Sequence, residues 1–164
     1  MASLPKHILM KRNIVRDYVS DEQFQPAGID LTVEKVYKFV DTGRIDYDNT
    51  ERKLSMVEEL KFGSDGYVFL PKGSYKLQYK EVVSIPKDVV AWVLPRSSLL
   101  RCGVTIESAV WDPGYTGRGE GLMIVMNEHG FALKHNAKVG QMVFLQLVEE
   151  ANEGYSGAYQ GENI

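Results

Sequence analysis

From Gly28 onward, apolar side chains fall at every second position: Ile29, Leu31 and Val33 are separated by Asp30 and Thr32. A period of two belongs to a strand with one face in a core and the other outside it. Similar short runs recur at Tyr67–Leu70, Tyr75–Tyr79, Val82–Ile85, Val89–Leu94, Val104–Ile106, Leu122–Met126, Phe131–Leu133 and Met142–Val148. Pro71-Lys72-Gly73 and Pro86-Lys87-Asp88 punctuate the earlier runs with turn-forming residues. Many short strands joined by such turns predict a mainly β protein, a barrel or a sandwich. Ahead of them, Ile8 to Tyr18 carries apolar residues at 8, 9, 14, 15 and 18. That spacing predicts a short amphipathic N-terminal helix, weakened at Asn13. Asp41 to Phe62 is polar and charged without a clear period and predicts an irregular excursion.

Composition narrows the picture. The 164 residues fit a single domain, assigned to 1–152, and the Gly-rich, polar stretch 153–164 is expected to be a flexible tail able to close over a site. Hydrophobic content of 44% and charged content of 25% are ordinary for a soluble globular chain. A net charge of -3 argues against a general nucleic-acid surface and leaves a small anionic ligand held by a local basic cluster. Cys102 is the one cysteine, so neither a disulfide framework nor a multi-cysteine metal site is expected. Lys6, His7, Lys11 and Arg12 break up the start of the chain, which reads neither as a signal peptide nor as a membrane span. A cytoplasmic setting without membrane attachment follows as the expectation. His7, His129 and His135 lack metal-ligand spacing.

Chemistry concentrates in two segments. Pro95-Arg96-Ser97-Ser98-Leu99-Leu100-Arg101 sets two hydroxyls between two guanidinium groups, directly after an apolar run. Planar permanent cations and short hydroxyl donors suit a chain of phosphates. The competing reading is a capped helix start with solvated arginines. Asp112-Pro113-Gly114-Tyr115-Thr116-Gly117 holds a carboxylate on a Pro-Gly turn. It reads either as an acid positioned beside a substrate or as a turn residue bonding its own backbone.

These segments also resemble a known family, the superfamily of trimeric dUTP pyrophosphatases (dUTPases) and dCTP deaminases, across nearly the whole chain. Gln25-Pro26-Ala27-Gly28-Ile29-Asp30-Leu31 is similar to its first motif, Pro95–Arg101 to the second, Ala109–Gly117 to the third and Val139-Gly140-Gln141-Met142 to the fourth. Tyr155-Ser156-Gly157-Ala158-Tyr159-Gln160-Gly161 resembles the deaminase-type C-terminus. The resemblance implies a jelly-roll-like dUTPase barrel (β-clip) and is greatest to a deaminase-like, archaeal-type dUTPase.

By that resemblance Ser97, Ser98, Arg101 and Gln141 contact substrate phosphates, while Arg96 either joins them or braces the loop. Asp112 takes the place of the general base that activates water. Tyr115 packs under the deoxyribose and excludes a 2′-hydroxyl. Asp30 is a supporting residue, and Trp111, Tyr155, Tyr159 and Gln160 are further candidates for substrate contact. Uracil is expected to be read by backbone groups between Val104 and Trp111. A deaminase needs a glutamate on the strand after the third motif, and Ile124 stands at that position. Glu120, the nearest acid, falls in the Gly117–Gly121 turn. Two tail positions depart from the deaminase pattern: Ala158 replaces a lysine and Glu162 a glutamine.

The expected activity is hydrolysis of dUTP to dUMP and pyrophosphate, a step of dUMP biosynthesis. The expected assembly is a homotrimer with sites between subunits, with Mg²⁺ carried mainly by the triphosphate. The alternatives are a dCTP deaminase, a bifunctional deaminase and dUTPase, or a non-catalytic deoxynucleotide-binding module.

Overall fold

The computed structural model describes residues 2–164, and in it the short apolar runs are strands around one core, with β4 buried on both faces from Gly28 to Val33. Strands β1 (Ala2–Ser3), β2 (Val15–Arg16) and β3 (Phe24–Gln25) precede the twelve-residue β4 (Gly28–Phe39). β5 (Val57–Leu60), β6 (Tyr67–Leu70), β7 (Gly73–Tyr79), β8 (Val82–Ser84) and β9 (Val89–Pro95) follow. After β10 (Val104–Glu107) and β11 (Thr116–Gly117) come β12 (Glu120–Val125), β13 (Phe131–Lys134) and β14 (Lys138–Gln146). Two short helices, α1 (Lys6–Arg12) and α2 (Ser97–Arg101), complete the set with a 3₁₀ turn at Asp21–Gln23.

The main sheet runs β1-β14-β4-β7-β12-β10, with β3 and β5 added along β4 and β9 along β14. β4 is shared between partners: Ile29 to Thr32 pair with β14, whereas Val33 to Lys38 pair with β7, with a register shift between Val33 and Lys35. A strand that changes partner through an irregularity curls its sheet. The curl encloses Ile29, Leu31, Leu77, Tyr79, Ile106, Met123, Met142 and Phe144, all under 2% exposed. Each contributes about 1.5–3 kcal/mol relative to exposure. The mainly β, barrel-like expectation holds.

The N-terminal helix is shorter than the apolar pattern predicts. It stops at Arg12 because Asn13 adopts φ 50° and donates its N–H to Met10 O (3.2 Å). Asparagine tolerates that left-handed conformation. Ile14 and Val15 are then buried from extended backbone, so the helical spacing continued past the helix by coincidence. The excursion 41–62 is more ordered than its composition suggests, with an Arg44–Lys53 bridge and β5 inside it. Glu120 does not lie in a turn; it opens β12, opposite Gln78. The tail lies along its own domain. Tyr155 N–H donates to Pro113 O (2.7 Å), Gly161 N–H to Thr116 O (2.8 Å) and Arg118 N–H to Glu162 O (2.9 Å).

Candidate active site

Where β9 ends, Arg96 takes the N-cap position of α2, and Ser97 and Ser98 form its first turn. The helix start expected as the competing reading is therefore real. Both serines are nevertheless exposed, and neither hydroxyl holds a hydrogen bond among the described residues. Arg101 is exposed at the other end of the same short helix. β14 places Gln141 between Asp30 of β4 and Leu94 of β9. Asp30 is 2% exposed and lies 3.4 Å from Arg96 Nε. Arg96 Nη1 also donates to Lys138 O (3.5 Å), so this arginine braces the loop. Burial pushes the Asp30 carboxyl up, against the opposing pull of Arg96 and Lys138.

A second buried carboxylate fixes the strand behind this cluster. Glu81, fully buried, accepts hydrogen bonds from Gln23 Nε2 (2.6 Å), Thr32 Oγ1 (2.7 Å) and the Thr32 N–H (3.0 Å to Oε2). Gln23 Nε2 also donates to Asp30 O (2.8 Å), tying the two acids through one amide. Burial pushes Glu81 up, and its hydrogen bonds pull it part of the way back. No motif pointed to Glu81.

The second cluster lines a cleft of about 550 Å³. Trp111 bridges Ala91, and the chain then turns over Asp112-Pro113-Gly114-Tyr115. The Tyr115 N–H donates to Asp112 O (3.1 Å), with Gly114 at φ 86°. Proline followed by a residue of positive φ is the signature of a type II turn, and glycine meets the second demand without strain. Gly114 also admits the tail, because a Cβ there would sit 2.7 Å from Gly154 Cα. The backbone closes this turn by itself. The Asp112 carboxylate takes no part in it and remains exposed at the cleft.

Trp111 and Tyr115 meet edge to face at 5.2 Å, and Tyr155 from the tail meets Tyr115 at 5.7 Å. Tyr115 OH donates to Glu162 Oε1 (2.8 Å). Burial and this carboxylate push the Tyr115 hydroxyl far above its ordinary range, and burial raises Glu162 in turn. Tyr159 lines the cleft, with the Arg52 guanidinium 5.9 Å from its ring. The Gln160 side chain is engaged with backbone: Oε1 accepts from Thr116 N–H (2.8 Å) and Nε2 donates to Gly114 O (3.0 Å).

Sequence reasoning missed the remaining walls. Phe39, Ile45 and Leu54 add apolar walls, and the paired Lys76 and Glu120 form a polar floor. Only the outward register of Lys76 in the Tyr75–Tyr79 alternation hinted at the floor. Ile124 shares the outward face of β12 with Glu120 and Leu122, paired with Ser74 and Thr105.

The two clusters lie apart on the chain. Ser97, Ser98, Arg101 and Gln141 are not among the residues lining the cleft. Trp111 is bridged to Ala91, and Pro95 lies a further about 13 Å along β9 at strand rise. No three acidic, histidine or cysteine side chains gather around a common point among the described residues. No described helix is long and apolar enough to cross a membrane.

Comparison with known proteins adds four findings. Residues 3–147 match the family model described as dCTP deaminase-like. A protein of Methanosarcina mazei named "Probable deoxyuridine 5′-triphosphate nucleotidohydrolase" is 47% identical over 144 residues, covering 88% of this chain and 84% of that protein. One of the same name from Archaeoglobus fulgidus is 43% identical over 160 residues, covering 97% and 94%. The crystal structure of 2′-deoxycytidine 5′-triphosphate deaminase from Agrobacterium tumefaciens shares the fold at a TM-score of 0.66 and 18% identity. That likeness covers 87% of this chain, which spans about half the other (47%).

Proposed function

The chain belongs to the dCTP deaminase-like family, and from that membership we propose that it hydrolyses dUTP to dUMP and pyrophosphate. One observation carries the choice within the family. The Asp112 carboxylate stands at the cleft free of its own turn, while Ile124 occupies the strand position where a deaminase needs an acid. An isoleucine cannot carry a proton between water and a cytosine ring. A free carboxylate can take one from water as that water attacks phosphorus. The archaeal relatives named as dUTP nucleotidohydrolases agree with this reading.

In the reaction, Asp112 accepts a proton from a water whose oxygen bonds to the α-phosphorus. The bond from that phosphorus to the bridging oxygen of the β-phosphate breaks, and pyrophosphate leaves. Ser97, Ser98, Arg101 and Gln141 hold the phosphates and neutralise the charge that develops on the leaving group. Arg96, anchored to Asp30, keeps the helix start in place and adds positive charge. Tyr115 and Trp111 shape the sugar side of the cleft. The tail residues Tyr155, Tyr159 and Gln160 form a lid that excludes bulk water. It covers Tyr115 in this structure, so it shifts to admit the sugar.

Because clamp and cleft are separate on one chain, the complete site pairs the clamp of one subunit with the cleft of another in a homotrimer. Mg²⁺ fits this scheme without a protein cage, since triphosphate oxygens and water fill most of its shell. Bound there, the ion would neutralise phosphate charge, and Asp112, exposed at the cleft, is an acid that could contact its water shell. The free, exposed Cys102 suits a reducing cytoplasm.

The test is to incubate the protein with Mg²⁺ and either dUTP or dCTP, and to assay pyrophosphate and ammonia in parallel. Pyrophosphate from dUTP without ammonia from dCTP is the expected result. Ammonia from dCTP overturns the assignment as a dUTPase alone, and dUTP binding without pyrophosphate overturns catalysis.

A further inference from the structure

We propose that Lys76 and Glu120 read the edge of the pyrimidine and select uracil over cytosine, an inference that rests on the dUTPase reading of the same cleft. Lys76 Nζ donates to Glu120 Oε1 at 2.8 Å, and the two side chains are 27% and 28% exposed. They stand side by side on neighbouring central strands, Lys76 on β7 and Glu120 on β12, with Leu122 registered opposite Lys76. Both line the cleft that holds Asp112 and Tyr115. Both also line the adjoining recess formed by Phe39, Ser108 and Ala109.

The pair retains capacity for a ligand. Among the described residues Lys76 uses one N–H on Glu120, and the second oxygen of Glu120 accepts no hydrogen bond. The ammonium is further held 4.7 Å from the Tyr37 ring centroid. Apolar walls at Phe39, Val110 and Trp111 suit the faces of a flat ring, leaving its polar edge to this floor.

Uracil presents O4 as an acceptor beside N3–H as a donor. A lysine donor beside a carboxylate acceptor complements that order. Cytosine presents the reverse, an amino donor beside a bare N3 acceptor, so both contacts would oppose like with like. The N–H groups of Ala109 and Val110 make no hydrogen bond among the described residues and are available to O2. Side chains of β7 and β12 thus supply the discrimination that O2, common to both bases, cannot.

The decisive experiment exchanges the charges. The double variant Lys76→Glu, Glu120→Lys preserves an ion pair and reverses its donor order. We expect it to lower the ratio of kcat/KM for dUTP over dCTP by at least about a hundredfold, and Glu120→Gln alone by about tenfold, measured as pyrophosphate release. An unchanged ratio in the exchanged variant, with its melting temperature retained, would show the pair to be structural and overturn the proposal. Ammonia from dCTP that Glu120→Gln abolishes would also overturn it, making Glu120 a proton carrier. Binding of non-hydrolysable imido analogues of dUTP and dCTP, measured by calorimetry on wild type and the exchanged variant, keeps the two readings separate. Wild type that fails to turn over dUTP ends the dUTPase reading, while an analogue preference that reverses with the exchange still supports the base reader.

Discussion

The clamp and the cleft are built differently. The clamp rests on the main sheet: β4, β9 and β14 fix Asp30, Arg96 and Gln141, and Glu81 locks β4 from behind. The groups proposed to hold phosphate, Ser97, Ser98 and Arg101, are open to solvent. The cleft is assembled from a turn, an excursion and the tail, over a floor of two strands, and it folds back on itself through Tyr115, Tyr155 and Glu162. The difference suits the two ends of the proposed nucleotide substrate. A triphosphate is alike in every nucleotide and needs charge held in a fixed frame. A nucleoside must be chosen, and choice needs enclosure that can open.

The largest expected effect comes from the cleft. Asp112→Asn should lower kcat for dUTP by roughly 10²–10⁴-fold while the imido analogue still binds, because only the proton acceptor is lost. Unchanged turnover would remove Asp112 as the base. A second test asks whether the two halves belong to different subunits. Arg101→Ala and Asp112→Asn each disable every site when alone. Unfolded and refolded together in equal amounts, they should recover about a quarter of wild-type activity if each site joins two chains of a closed ring. No recovery would place both halves on one chain.

The smallest effect concerns the clamp's foundation. Burial raises the folded-state value of Glu81 above its unfolded 4.5. The stability it contributes is therefore full below about pH 4.5 and is lost as pH rises through the raised value. Glu81→Gln keeps an amide oxygen for Gln23 and Thr32 and cannot titrate. Urea midpoints should fall between pH 5 and pH 8 in wild type and fall less in the variant. Parallel slopes would locate the dependence in another group.

Much of this molecule was legible in its residues, and the exceptions share a cause. Alternation at Ile29, Leu31 and Val33 found β4, and unbroken apolar runs found β9 and β12, because a core-facing strand must carry apolar side chains. It failed at Ile14 and Val15, where helical spacing ran on past a left-handed Asn13. The motifs singled out Asp112 and the Arg96–Arg101 segment as candidates because phosphate chemistry demands particular side chains close together in the chain. They gave no sign of Lys76, which stands 44 positions from its partner Glu120.

By itself, then, the sequence determined the strands, the acid on its turn and the close grouping of Ser97, Ser98 and the two arginines, since each is a matter of local pattern or local chemistry. Only the tertiary structure decided that Glu120 lies on a strand facing Lys76, that Glu81 is buried beneath the clamp, and that the tail covers Tyr115. Those relations arise where distant segments pack together, and no local pattern records which segments will meet.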